Sequence, residues 1–259
     1  MFELLEPSTL LFLGAIAFSA GFIDAIAGGG GMLTIPALLS VGLPPHTVLA
    51  TNKLAATFGS STAAFTYYRR RLFSPSFWKN AFIATLSGAI IGTFVVDYIS
   101  SAWLEKILPV IILAVAVYTI WHPVPASDNN ELPKDIDKLT LKQTMQGIIL
   151  GYYDGIAGPG TGAFWVVSNM SIYKINILLA SGVAKAMNFT SNIASLATFI
   201  VLGHVNWAIG LLMGVCLMTG SYLGARSAIR FGAKFIRPVF ICVVSVLAAE
   251  LAYNAWIIN

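Results

Sequence analysis

The feature that constrains this chain most is a run of glycines at the end of a long apolar stretch. Residues 21–31 read Gly-Phe-Ile-Asp-Ala-Ile-Ala-Gly-Gly-Gly-Gly, and residues 151–160 read Gly-Tyr-Tyr-Asp-Gly-Ile-Ala-Gly-Pro-Gly. Each glycine costs a helix roughly 1 kcal/mol relative to alanine, so neither run sustains a stable helix. An acid inside an apolar run is costly unless it is paired or functional. Broken helices with a buried acid, present twice at corresponding places, are typical of a transporter binding site.

The composition indicates where such helices lie. The chain has 259 residues, of which 57% are hydrophobic and 10% are charged. Soluble domains carry about 25% charged residues. We therefore predict an all-α polytopic membrane protein with eight to ten spans of about 20 residues each. The helices are predicted to break at Gly28 to Gly31 and at Gly158 to Gly160.

The two halves of the chain repeat each other. Gly21 and Asp24 align with Gly151 and Asp154 at an offset of 130 residues, and Lys53 aligns with Lys185 at an offset of 132. The pattern predicts an N-terminal transmembrane repeat over 1–122, a polar linker over 123–142 and a C-terminal repeat over 143–259. Each repeat holds about five hydrophobic segments, and the two form one integrated membrane domain.

The distribution of positive charge predicts how the repeats are related. Three arginines occupy positions 69–71, whereas the matching loop at 203–206 has no Lys or Arg. Conversely, residues 226–237 carry four Lys or Arg residues, whereas the matching loop at 97–106 carries one. Short basic loops stay in the cytoplasm, so corresponding loops face opposite sides and the repeats are inverted. The linker is then cytoplasmic. The sequence leaves open whether the segments around each glycine run cross the membrane or re-enter it.

The broken helices and the buried cations predict an anion site. A helix N-terminus carries about +0.5 charge and presents free N–H groups, which suits a small anion. Asp24 and Asp154 would position the lysines or couple a proton. In another interpretation, each lysine pairs with an acid and only ties the broken helices together. The candidate substrate-binding residues are Lys53, Lys185, Gly29, Gly30, Thr34, Thr51, Asn52, Gly160, Thr161, Asn188 and Asn192.

Other classes of function lack their signals. The histidines show no metal-ligand spacing, and the glycine runs lack the strand context of a nucleotide-binding loop. No nucleophile and base stand out, so we expect no enzyme, no metal and no cofactor. The expected partners are a small anionic substrate and the lipid bilayer, and not nucleic acid. The sequence leaves open whether the chain forms a homo-oligomer.

Several runs of residues resemble one family. Residues 21–39 continue the first glycine run through Met-Leu-Thr-Ile-Pro-Ala-Leu-Leu, residues 50–54 read Ala-Thr-Asn-Lys-Leu, and residues 188–192 read Asn-Phe-Thr-Ser-Asn. Together with the Asp154 motif, they resemble the sulfite exporter TauE/SafE family over nearly the whole chain. The resemblance implies a multi-pass transporter of the bacterial inner membrane that exports sulfite or organosulfonates such as sulfoacetate. In the second half Pro159 replaces Gly29 and Thr161 replaces Gly31, which predicts unequal half-sites.

These observations lead to one main hypothesis and two rivals. The main hypothesis is a secondary transporter that exports a small sulfur-containing anion by alternating access between the two halves. The first rival is a proton- or cation-linked carrier whose ligands are Asp24 and Asp154. The second rival is a membrane scaffold that transports nothing and has no central polar cavity. The substrate, the direction of transport and the coupling ion are not determined by the sequence.

Overall fold

The described part of the protein is entirely helical. The computed structural model describes residues 6–121, 136–232 and 235. Within these ranges there are nine α-helices and no strand. They are α1 (Pro7–Ala27), α2 (Gly31–Ser40), α3 (Pro45–Arg69), α4 (Lys79–Asp97), α5 (Ser101–Trp121), α6 (Ile136–Ile156), α7 (Thr161–Tyr173), α8 (Ile177–Leu202) and α9 (Trp207–Phe231). Most of the predicted linker and the predicted last hydrophobic segment lie outside the described residues.

The helices break where the glycine runs predict. The first break separates α1 from α2, and the second separates α6 from α7. Gly28 has φ +80° and Gly158 has φ +87°, a backbone region that residues with a side chain rarely adopt. The short helices α2 and α7, of 10 and 13 residues, start immediately after these turns.

The end of the predicted polar linker overlaps a helix. Helix α6 begins at Ile136, so the last seven residues of the predicted 123–142 linker are helical. The first turns of α6 are amphipathic: Leu139 is buried, whereas Leu141 and Lys142 are exposed. A one-sided helix of this kind has too many polar residues to read as a hydrophobic segment.

Close glycine contacts fix the directions of the long helices. Along α1, Gly14 contacts Cys216 of α9, Phe18 contacts Gly220, and Phe22 contacts Gly224. The residue numbers rise together, so α1 and α9 run parallel. Helix α3 is parallel to α9 in the same way, because Gly210 packs on Leu54 and Gly214 packs on Phe58. Helices α4 and α6 are likewise parallel, with Gly147, Gly151 and Gly155 against Ala81, Thr85 and Ala89.

The ends of the bundle differ in charge. Asp97 at the end of α4 lies 2.7 Å from the His204 ring just before α9. The ring of His46, at the start of α3, stacks on His204, so α4 runs opposite to α3 and α9. The other end of the bundle carries arginines from the last turns of α3 and α9. There a cleft of about 1200 Å³ is lined by Arg69, Arg70, Arg226 and Arg230 among others.

Three of the described helices are long and apolar enough to cross a membrane. They are α1, α4 and α9. Their outward faces present large apolar side chains, including Leu11 (76% exposed) on α1 and Ile83 (66% exposed) on α4. In water such faces would be unfavourable, whereas the acyl chains of a bilayer would cover them without cost.

Candidate functional site

The two helix breaks meet each other at the centre of the bundle. A Cβ atom added to Gly28 would fall on the backbone of Gly162 and Ala163. A Cβ added to Gly31 would lie 3.5 Å from the Cα atom of Pro159. At Gly28 only a residue without a side chain permits such an approach of two main chains, whereas at Gly31 the contact is an ordinary one. The glycine runs therefore end two helices and also bring their broken ends into contact.

The first acid, Asp24, is held by three groups: two backbone N–H groups of the first break and a lysine of the other half. Asp24 Oδ1 accepts hydrogen bonds from the N–H groups of Gly29 and Gly30, each at 3.0 Å. Its other oxygen, Oδ2, lies 3.1 Å from Lys185 Nζ, which belongs to α8 in the other half. The amides predicted to bind a substrate bind this carboxylate instead. Both oxygens of Asp24 thus have a partner.

The second acid forms the equivalent pair with fewer partners. Lys53 Nζ of α3 lies 2.9 Å from Asp154 Oδ1 of α6. This contact is close enough for an ion pair, but its angles are not those of a hydrogen bond, so the ammonium has no hydrogen-bond partner among the described residues. Within the same residues, Asp154 Oδ2 has none either. The hydroxyl of Thr161 lies 3.0 Å from Asp154 Oδ1.

The difference between the pairs follows from the sequence. Pro159 stands where the first half has Gly29, and proline has no N–H to donate. Thr161 stands where the first half has Gly31, so a hydroxyl replaces a hydrogen atom. The half-sites predicted to be unequal are indeed built from different donors.

Both lysines are shielded from solvent. Lys53 is 1% exposed and Lys185 is 0% exposed. Removing one partner from a buried ion pair costs about 3–5 kcal/mol, because the remaining charge loses its compensation. Each lysine pairs with the acid of the opposite half. The interpretation that lysine–acid pairs tie the broken helices together therefore matches the contacts, and it also leaves the ammonium groups beside the central cavity.

A small polar cavity lies between the two ion pairs. Its volume is about 30 Å³, which is room for one or two water molecules. Both acids reach it, and so do the broken ends of the helices. Its lining is Asp24, Gly29, Gly30, Gly31, Thr34, Asn52, Ala56, Asp154, Gly158, Gly160, Thr161, Gly162, Asn188, Asn192 and Leu217. An anion larger than water requires the helices or the ion pairs to move apart.

Most of the predicted residues come together here. Lys53 and Lys185 lie behind the acids that line the cavity, and the Thr34 hydroxyl donates to Asn52 Oδ1 at 2.6 Å. Asn188 Oδ1 is buried without a hydrogen-bond partner. Three candidates are not part of the cavity lining: the two lysines, which contact the lining acids from behind, and Thr51, which contacts neither acid. The Thr51 hydroxyl accepts the N–H of Asn206 at 3.2 Å, so it holds the start of α9.

The sequence reasoning missed several neighbours of the site. Ala56, Gly162 and Leu217 line the cavity but carry no polar group that could have marked them. The hydroxyl of Tyr153 donates to the carbonyl of Pro159 at 2.6 Å and braces the second break. Its position directly before Asp154 in the repeated motif was a usable signal. Tyr67 similarly donates to the carbonyl of Ala25 at 3.0 Å, in the last turn before the first break.

Comparison with known proteins identifies the family. Residues 13–251 match the family described as Sulfite exporter TauE/SafE. The chain belongs to the TauE/SafE family. The resemblance seen in the sequence is thereby confirmed, and it places the protein among membrane transporters.

Relatives of the TauE/SafE chain are similar over almost their full lengths. "Probable membrane transporter protein ORF9" of Sinorhizobium is 37% identical over 244 residues, which cover 93% of this chain and 92% of that protein. "Probable membrane transporter protein YfcA" of Escherichia coli K12 is 36% identical over 252 residues, covering 97% and 93%. A "Probable membrane transporter protein" of Haemophilus influenzae is 36% identical over 249 residues, covering 95% of each. No solved structure matches the chain.

Proposed function

We propose that this TauE/SafE protein is a secondary transporter that exports a small sulfur-containing anion across a bacterial inner membrane. The observation that carries the proposal is the pair of buried lysines, each bound to an acid of the other half on either side of one polar cavity. The substrate would be sulfite or an organosulfonate such as sulfoacetate. The family description and the bacterial relatives support the class of substrate and the location.

The chemistry of the lining suits an oxyanion. A sulfite or sulfonate group presents three oxygens that only accept hydrogen bonds. The two ammonium groups, the amide groups of Asn52, Asn188 and Asn192, and the Thr161 hydroxyl can all donate to such oxygens. Charged donors bind anionic oxygens about twice as strongly as neutral donors. Lys53 and Lys185 would therefore hold the anion, and the neutral groups would orient it.

The arrangement of helices supports alternating access between inverted repeats. At the sequence offset of 130–132 residues, α1, α3 and α4 correspond to α6, α8 and α9. Contacts place α1, α3 and α9 in one direction and α4 in the other, and α6 runs parallel to α4. Gly182 near the start of α8 lies against Leu72 just after α3, and His204 just after α8 stacks on His46 at the start of α3, so α8 runs opposite to α3. Each helix thus runs opposite to its counterpart, as in transporters whose halves are related by an axis in the membrane plane.

The basic end of the bundle supports a cytoplasmic orientation and a route for anions. Arginines of α3 and α9 share that end, and short basic loops face the cytoplasm. Field lines from clustered arginines raise the local concentration of anions. The same two helices line the central cavity through Asn52 and Leu217. In this proposal the protein has eight to ten spans, and the cleft collects substrate before export.

The test is flux in proteoliposomes. Purified protein is reconstituted, and the movement of labelled sulfite and labelled sulfoacetate is followed, with empty liposomes as the control. We expect saturable flux that falls at least tenfold in Lys53→Met and in Lys185→Met. Thr51→Val is the matched control, because Thr51 lies on the same helix as Lys53 and outside the cavity. Correctly inserted protein that moves none of the anions would refute the proposal.

The rival carrier with acids as ligands for a cation gives a different result. In that case Asp24→Asn and Asp154→Asn abolish cation-dependent flux. Neither the wild type nor the lysine variants then bind an anion. The scaffold rival predicts a bundle without a central polar cavity. The cavity between Asp24 and Asp154 weighs against it.

A further inference from the structure

We infer that the two ion pairs have different roles, and that Asp154 is the proton acceptor that couples transport. In this scheme the Asp154–Lys53 pair opens when Asp154 takes up a proton, and the freed Lys53 ammonium binds the anion. The Asp24–Lys185 pair stays ionised and holds the first break together. The inference rests on the proposed function and adds to it the coupling ion, its acceptor and the half-site that the anion occupies first.

Asp24 is surrounded by groups that can only donate hydrogen bonds. Its Oδ1 faces two backbone N–H groups and its Oδ2 faces the Lys185 ammonium. Neither a backbone N–H nor an ammonium can accept a hydrogen bond. A proton on either oxygen of Asp24 would therefore point at another donor. Among the described residues, the hydrogen-bond partners of this acid are all donors.

Asp154 faces a group that can both donate and accept. The Thr161 Oγ1 atom lies 3.0 Å from Asp154 Oδ1 and 2.8 Å from the carbonyl oxygen of Gly158. A hydroxyl has a single hydrogen, so it can donate to only one of these oxygens at a time. When Asp154 is ionised, the hydroxyl donates to the carboxylate. When Asp154 carries a proton on Oδ1, the acid donates to Thr161, and the hydroxyl turns to Gly158.

The alternative hydrogen bonds let Asp154, Thr161 and Gly158 keep their positions in both protonation states, so that only Lys53 has to move away. The O–H bond of the acid forms as an O–H bond of a hydronium ion that reaches the cavity breaks, and neutral water is left. No other covalent bond changes. On release of the anion, Lys53 returns to Asp154, and the proton leaves. The first half has no equivalent, because Gly31 has no hydroxyl and Gly29 supplies a fixed N–H.

Besides Lys53, one charged pair faces Asp154 across the cavity: Asp24 lines the same cavity and is bound to Lys185. Helix α7 has no charged residue, and α8 has only Lys185, which pairs with Asp24. Helix α4, on the other face of α6, is charged only at its terminal residues Lys79 and Asp97. On α6 itself, Tyr153 donates to Pro159. Protonation of Asp154 therefore leaves the Lys53 charge uncompensated, and an anion on Lys53 replaces the carboxylate that it lost.

Linkage makes this coupling reciprocal. If the proton favours the anion, the anion favours the proton to the same degree. The anion and the proton then bind and move together in the same direction. The net direction is set by the sum of the two gradients, and an outward anion gradient drives export.

The test counts protons taken up on anion binding. A simple alkanesulfonate keeps its charge in the physiological range of pH, so any proton uptake belongs to the protein. Calorimetric titrations of the purified protein in buffers of different ionisation enthalpy give the number of protons per anion. We expect about one proton per anion for the wild type, with an affinity that falls by up to about tenfold per pH unit as pH rises. Asp154→Asn should take up none and lose the pH dependence.

The mirror variants are the controls. Asp24→Asn should weaken binding but keep the proton uptake. Thr161→Val should lower the uptake, whereas Thr51→Val, which lies outside the cavity lining, should not. The threonine pair answers the question even if Asp24→Asn does not fold. Binding without proton uptake by the wild type, or uptake that persists in Asp154→Asn, overturns the inference alone. A wild type that binds neither sulfonate nor sulfite overturns the proposed function and this inference together.

Discussion

The sharpest test of the architecture is Gly28→Ala, a single methyl group at the contact of the two helix breaks. Gly28 has φ +80° and ψ 153°, a region that is open almost only to glycine and that costs other residues about 1–3 kcal/mol. The added Cβ would also fall on the backbone of Gly162 and Ala163, which cannot rotate away. Overpacking of this kind costs about 1–3 kcal/mol more. The free energy of unfolding should fall by about 2–6 kcal/mol.

A matched control separates the two contributions. Gly203 shares the positive φ, +79°, in the left-handed helical region with ψ 17°, and a Cβ there has no described atom within 4 Å. Gly203→Ala should therefore show only the conformational cost, about 1–2 kcal/mol. Unfolding of both variants can be followed in mixed micelles by denaturant titration and tryptophan fluorescence. If Gly28→Ala is no less stable than Gly203→Ala, the two breaks do not touch as described, and the reasoning about the site fails.

Three further changes test the packing around the site, each by the same unfolding measurement. Gly220→Ala should destabilise by about 1–3 kcal/mol, because its Cβ would fall on a backbone carbonyl of α1. Gly14→Ala lies in the same interface with its nearest contact at 3.4 Å and should be neutral or slightly stabilising; equal effects would contradict the close packing. Lys185→Met should cost about 3–5 kcal/mol, and adding Asp24→Asn should restore most of it. A double variant as unstable as the single one would mean that the pair is not the cause. Tyr67→Phe should cost about 1 kcal/mol through the lost hydrogen bond to α1, and an unchanged stability would exclude that bond.

The sequence predicted the parts of this molecule that depend on local chemistry. A run of closely spaced glycines cannot sustain a helix, so the two breaks could be located from the sequence. A carboxylate in an apolar run must have a partner, so Asp24 and Asp154 marked the centre. Most of the polar candidates surround one cavity for the same reason, since polar side chains in a membrane bundle gather where they can be satisfied.

The sequence does not show which acceptor takes a given N–H group, or which way a residue on a long helix faces. The N–H groups of Gly29 and Gly30 were expected to face a substrate, but Asp24 is close enough in the chain to occupy them first. Thr51 shares a helix with Lys53, yet rotation about the helix axis turns it toward α9. Leu217 enters the cavity from the other half of the chain, and an apolar residue gives no sign of such a position.

The exchange of lysines between the halves has a consequence for how such a chain can be divided. Either half made alone would contain one buried acid and one buried lysine, whose partners in the intact protein lie elsewhere. Two copies of one half could meet this need only by pairing with each other, the acid of each copy against the lysine of the other. A gene for one half is therefore expected to yield a dimer or a degraded product, and a complete fold would return when both halves are synthesised in the same cell.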